Sequence, residues 1–234
     1  MSSAPLELYV EEKTNLACYY YVDNLSAICS ITLAQHQMKK SYLLFALLAF
    51  LFSTPLVYGQ STTAQLSPEE AKLYDLLMQY RKENGLKSIP LSNALTTVAQ
   101  THCKDLVNNK PDLGKECNAH SWSDKGEWTS CCYTPDHKQA TCMWNKPKEL
   151  TRYAGNGFEI ACGDSDPRFD RFVMTADYAL KSWQESAGHN NVILNLAGWK
   201  NSEWKAIGIG IKGGFATVWF GKLADEEGEP TLEE

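Results

Sequence analysis

The sequence predicts an α+β protein in which helices pack on a small antiparallel sheet. Two strongly capped helices open the folded part of the chain, a third amphipathic helix follows a long irregular stretch, and two alternating strands joined by a glycine pair come last. Hydrophobic residues make up 44% and charged residues 21% of the 234, enough to bury a core and too apolar for a disordered chain.

The first helix begins at Ser67-Pro68-Glu69-Glu70. Serine is at the N-cap, proline is at the first helical position, and Glu70 lies three residues on to complete a capping box. Leu73, Leu76, Leu77 and Tyr80 follow at helical spacing, and Gly85 ends the run. Ser92 opens a second helix with Leu95, Val98, Ala99, His102 and Leu106 on one stripe, which makes His102 a core or edge histidine. Ala176, Ala179, Leu180 and Trp183 mark a third helix near 175–185, with a further helical turn around 189–194. In the strand WKAIGIGI, Ile207, Ile209 and Ile211 alternate with Ala206, Gly208 and Gly210. One face is branched and the other nearly bare, which suits close approach of another element. Gly213-Gly214 makes the hairpin turn, and FATVWFGK returns.

Upstream of these elements, Met38-Lys39-Lys40-Ser41 precedes an unbroken apolar run from Tyr42 to Phe52, then Pro55 and Val57-Tyr58-Gly59. A basic start, a short apolar segment and small residues before Gln60 are the parts of a signal peptide over 38–59, and the run is short for a bilayer span. The rival reading is a membrane anchor. Residues 1–37 are then an upstream extension with translation starting at Met38, 60–66 a short lead-in, 67–224 the folded domain, and 225–234 an acidic disordered tail. Because six of the 28 acids fall in that tail, the domain itself is close to neutral and has no electrostatic footprint for nucleic acid.

Cys103, Cys117, Cys131, Cys132, Cys142 and Cys162 remain after the leader, an even number that suits three disulfides in an exported protein and leaves the connectivity open. Thiolate zinc binding is the poorer reading, since there is no C-x-x-C pair. The bridges would staple residues 109–163, a Gly-, Pro-, Asp- and Asn-rich stretch. Trp122, Trp128 and Trp144 in that stretch fill a core under a long loop or form a platform for sugar or lipid.

No nucleophile elbow, zinc helix, phosphate loop or catalytic-cysteine box is present, so neither a nucleotide nor an organic cofactor is expected. The remaining candidates are His120 in CNAHSWSD and His189 in SWQESAGHNNVILN, with Glu159 and Glu185 as carboxylates near in sequence. Two imidazoles facing one cleft suit a divalent ion, zinc foremost, while the bland alternative is that each holds a loop by hydrogen bonds. Glu185 and His189 share a helix face if that helix runs unbroken through Gly188.

The segment Trp183 to Asn195 resembles the pattern W-x-x-S-x-G-H-x-x-x-I-L-N of the bacterial-type CAP superfamily, also called SCP domains. His120-Ser121 is similar to the family's first His-Ser, and the terminal W-F-G-K strand supports the likeness. The resemblance covers roughly 67–223 and implies a secreted three-layer α-β-α sandwich. It also implies a cleft of two histidines and two acids that holds a divalent metal in some members. His120 and His189 match the family positions. Glu159 falls one residue after the glutamate of G-E-N-I-A, where this chain has Phe158, and Glu185 falls one before the other family acid, where it has Ser186. The expected protein is a secreted, non-catalytic binding module for a divalent metal, a lipid or sterol, or a peptide. The rivals are a metal-dependent secreted peptidase or esterase with Glu159 or Glu185 as base, and a structural module with a vestigial cleft.

Overall fold

The computed structural model describes residues 63–114 and 116–233. The expected upstream extension, signal peptide and cleavage site, with Cys18 and Cys29, lie outside the described residues.

The first helix, α1 (Pro68–Glu83), follows a short strand β1 (Gln65–Leu66) and is capped as the sequence predicts. The Ser67 hydroxyl accepts from the Glu70 backbone N–H at 3.3 Å, and the Glu70 carboxylate accepts from the Ser67 N–H at 2.8 Å. Gly85 leaves the helix at φ +75°, where a side chain would be strained. Glu70 also accepts from the Ile211 backbone N–H at 2.9 Å, tying the start of α1 to the sheet.

The second helix, α2 (Asn93–Asn109), starts at Ser92, whose hydroxyl accepts from Leu95 N–H at 2.9 Å. Two five-residue helices, α3 (Ala140–Trp144) and α4 (Lys146–Leu150), and a strand β2 (Gly157–Cys162) lie in the stretch that the sequence leaves irregular. Helices α5 (Ala176–Glu185) and α6 (Ala187–Ile193) follow, then the hairpin β3 (Ala206–Lys212) and β4 (Phe215–Gly221). The three long strands form one antiparallel sheet in the order β2-β4-β3.

Strand alternation sorts the core into layers. On one face Ile160, Ile207, Ile209, Val218 and Phe220 pack with Leu73 and Leu77 of α1 and Ala179 and Trp183 of α5. On the other, the bare face of β3 receives α2: a Cβ at Gly208 would lie 2.0 Å from the Leu95 carbonyl carbon, and one at Gly210 2.5 Å from that of Ala99. The Thr217 hydroxyl of β4 donates to the Ala99 carbonyl at 3.2 Å across the same seam. The result is the expected α+β three-layer sandwich with helices on both faces of a small antiparallel sheet.

Two expectations are corrected. Among the described residues two disulfides form rather than three, Cys117–Cys132 and Cys131–Cys142, while Cys103 and Cys162 are free. The Cys103 thiol lies on the α2 side against Thr217, and Cys162 packs into the opposite layer, so the sheet separates them.

The acidic end is not a disordered tail. Asp225 accepts from the Ser92 hydroxyl at 2.6 Å and the Ala94 N–H at 2.8 Å, where a carboxylate complements the positive end of α2. Beyond it, β5 (Thr231–Leu232) pairs in parallel with β1. Its ladder uses backbone groups, which the acidic side chains leave available.

The two helical segments expected near 175–185 and 189–194 are separate, so the condition for Glu185 and His189 to share one helix face is not met. Ser186 sits at φ −103°, ψ 111° between α5 and α6. Within the stretch that the sequence leaves without periodicity, 157–162 forms a regular edge strand.

Candidate functional site

The edge strand β2 borders a cavity of about 510 Å³. Its polar end is formed by His120, His137, His189 and Glu159, and its apolar walls include Met143, Trp144, Phe158, Ile160, Val192 and Trp199. The structure therefore brings His120, His189 and Glu159 to one hollow. Glu185 is not in it: its carboxylate is largely in solvent, 4.0 Å from Lys181. Trp144 joins the cleft wall, whereas Trp122 is core.

Glu159 is fully buried, and both carboxylate oxygens are used. One accepts from His102 Nδ1 at 2.5 Å and the other from His120 Nδ1 at 2.8 Å. His102 Nε2 donates to the Ser121 carbonyl at 2.9 Å, and the ring stacks on Trp122 with centroids 4.1 Å apart. A carbonyl and a carboxylate both accept, so each ring nitrogen of His102 faces an acceptor. Burial alone would raise the Glu159 pKa, but the charges and hydrogen bonds of His102 and His120 together hold it below the ordinary carboxylate value. A buried carboxylate is thus clasped between two imidazoles, and the one at the cleft, His120, has its Nδ1 fixed from behind.

Sequence reasoning read His102 as a core histidine. The structure makes it the inner partner of the clasp. The available signal was a polar ring on an apolar helix stripe, which must find a buried partner. His137 and Tyr133 were missed altogether: the Tyr133 hydroxyl meets His137 Nδ1 at 3.0 Å. Nothing in their local sequence marks them, because the fold of the Cys-rich stretch brings them in.

His189 is the cleft's most perturbed group. Burial first, and then the charge of His120, push its pKa down to about 4, with Glu159 pulling weakly the other way. Its imidazole is neutral near pH 7. The unfolded chain takes up this proton first, so the site costs nothing above about pH 6.5. Stability falls as pH drops from there toward about 4 and levels off below. Ring-proton NMR is expected to give a His189 midpoint near 4 that rises in His120→Ala, which removes the like charge. A wild-type midpoint at the ordinary histidine value would contradict this picture.

The donor set does not suit zinc. Protein zinc sites use about three or four side-chain ligands. Here both Glu159 oxygens already meet imidazole nitrogens, Glu185 lies outside the cleft, and no group of three or more His, Cys, Asp or Glu among the described residues is arranged to hold an ion. A second cavity of about 500 Å³ beside β1 is lined by Thr97, Gln100 and Lys104 and contains no imidazole. Among the described residues no helix is long and apolar enough to cross a membrane.

No family model and no curated protein matches the chain. Among solved structures it is similar to an extracellular protein containing an SCP domain from Bacillus anthracis str. Ames, at 17% identity and a TM-score of 0.43, over 66% of this chain and 40% of that one. It is also similar to a cysteine-rich secretory protein from Staphylococcus aureus subsp. aureus Mu50, at 13% identity and a TM-score of 0.40, over 66% and 38%. The chain spans about two fifths of the length of these solved chains. Both likenesses are remote, and the site's chemistry rests on its own residues.

Proposed function

We propose that this protein is a non-catalytic binding protein for a small amphiphile, a lipid or sterol. The apolar body of the ligand lies against Met143, Phe158, Ile160 and Val192, and its polar end meets His120 and His189. In class it is proposed as an exported CAP-domain protein. That reading is supported by the Trp183 to Asn195 pattern, the His120-Ser121 pair and the leader-like segment 38–59.

The observation that carries the binding role is the cavity itself. Its volume of about 510 Å³ falls within the range of small-molecule sites, and mostly apolar walls converge on a few polar groups at one end. Glu159, the base that the rival hydrolase reading calls for, is buried with both oxygens already hydrogen-bonded to imidazoles, which favours binding over hydrolysis.

The test is a tryptophan-fluorescence titration with dodecyl maltoside below its micelle concentration. Binding is expected to saturate in the wild type and to weaken by about tenfold or more in Ala140→Trp, which fills the cleft from the first residue of α3. Absence of saturable binding would overturn the proposal. So would hydrolysis of p-nitrophenyl laurate that disappears in His120→Ala, which would favour the hydrolase.

A further inference from the structure

Phe158, Trp199 and Trp204 form a three-walled aromatic cup at the cleft. Their ring centroids lie 5.2 to 5.6 Å apart, with interplanar angles of 74° for Phe158–Trp199, 48° for Phe158–Trp204 and 42° for Trp199–Trp204. The cup is occupied by the chain's own cation. Lys222 Nζ lies 5.1, 5.9 and 5.8 Å from the centroids of Phe158, Trp199 and Trp204. All three distances are inside the roughly 6 Å over which a cation is attracted to a ring face. Two of the three rings, Phe158 and Trp199, also line the cleft.

We propose that this cup is a recognition site for a quaternary ammonium group, the trimethylammonium head of an amphiphile, and that Lys222 is its internal, displaceable occupant.

The walls are built rather than incidental. The Trp204 indole N–H donates to the Val192 carbonyl at 3.0 Å, which fixes that ring. The loop carrying Trp199 is pinned by Asn195, whose amide donates to the Ser202 carbonyl at 2.8 Å and whose oxygen accepts from Arg81 at 2.9 Å. Arg81 also donates to the Ile193 carbonyl. Lys222 follows directly on Gly221, the residue of β4 paired with Gly157, so the end of the sheet places its stem beside Phe158.

The chemistry of the cup selects the head group. A primary ammonium has three N–H donors to satisfy. Among the described residues no carboxylate is in ion-pair range of Lys222 and no acceptor is hydrogen-bonded to it. A trimethylammonium has no donor to leave unsatisfied, and its charge is spread over methyl groups that pack on ring faces. Lys222 is an exposed side chain, free to swing into water and vacate the cup.

The inference rests on the amphiphile reading only for the position of the tail, and the experiment separates the two. Tetramethylammonium chloride, which has no tail, is titrated into wild type and Lys222→Ala while the indole N–H resonances of Trp199 and Trp204 are followed. Melting curves check that Lys222→Ala remains folded. Removing the internal competitor is expected to tighten tetramethylammonium binding about tenfold. In the same variant, dodecyltrimethylammonium is expected to bind about tenfold tighter than dodecyl maltoside of the same chain length, a preference that shrinks in Lys222→Ala/Trp199→Leu. Equal tetramethylammonium affinity in wild type and Lys222→Ala, or binding that leaves both indole resonances unmoved, would overturn the inference. Tetramethylammonium binding as expected, with neither dodecyl compound bound, would support the cup and overturn only the cleft reading.

Discussion

Glu159→Ala is expected to lower stability at pH 7 by about 3–5 kcal/mol, the usual cost of removing one partner from a buried, hydrogen-bonded charge pair. The loss follows from what remains: His102 is fully buried against Trp122 and the Ser121 carbonyl, and the carboxylate it meets is gone. Glu159→Gln should cost less. Its amide oxygen still accepts from one imidazole, but its NH₂ faces the other, which must then give up a proton to accept.

The pH dependence has a definite sign. The folded-state pKa of Glu159 lies below its unfolded value. Its contribution is therefore complete above the ordinary carboxylate pKa of about 4.3 and fades as pH falls through the lower folded value. Urea denaturation of wild type and Glu159→Ala should accordingly give midpoints well separated at pH 7 that begin to draw together as pH falls below the ordinary carboxylate value. Coincident midpoints at pH 7 would show that the clasp contributes nothing to the fold.

Gly208→Ala carries the other large effect, expected at about 3 kcal/mol or more. The added methyl would sit 2.0 Å from the Leu95 carbonyl carbon and 2.3 Å from its oxygen, and both are helix backbone rather than a side chain able to turn away. Helix α2 cannot retreat without breaking the Thr217–Ala99 hydrogen bond and the Asp225 contacts at its N-terminus. Gly198→Ala is the control, since a Cβ there meets nothing within 4 Å, and it should stay within about 0.5 kcal/mol of wild type. A Gly208→Ala protein that melts with the control would mean the helix and sheet are not held at this separation.

Features written in short sequence windows were legible. The Ser67-Pro68-Glu70 cap and the alternation of Ile207, Ile209 and Ile211 with glycines each specify their own geometry, and the bare face of β3 does receive a helix. The pairing of His120 and His189 across one hollow came from the family pattern rather than from spacing. What stayed hidden depends on partners distant along the chain. Strand β2 has no alternating polar face, because it is buried on both sides and its one carboxylate is hydrogen-bonded to His102, 57 positions away. The disulfide partners were open for the same reason: only the sheet's position shows that Cys103 and Cys162 cannot meet. Glu185 was misplaced because a single extended residue, Ser186, turns the chain between two helical segments. The acidic run was misread because its side chains argue for water while its backbone pairs with β1.

The parallel pairing of β1 with β5 sets how the molecule bears a pull. The polypeptide enters β1 through Ala64 and leaves β5 through Glu233, at opposite ends of a two-rung ladder. Tension on the two termini would slide the strands past one another and load both rungs at once rather than peel them in turn. The Asp225 contacts stand in series behind them. Traction is thus met at this clasp before it reaches the central sheet.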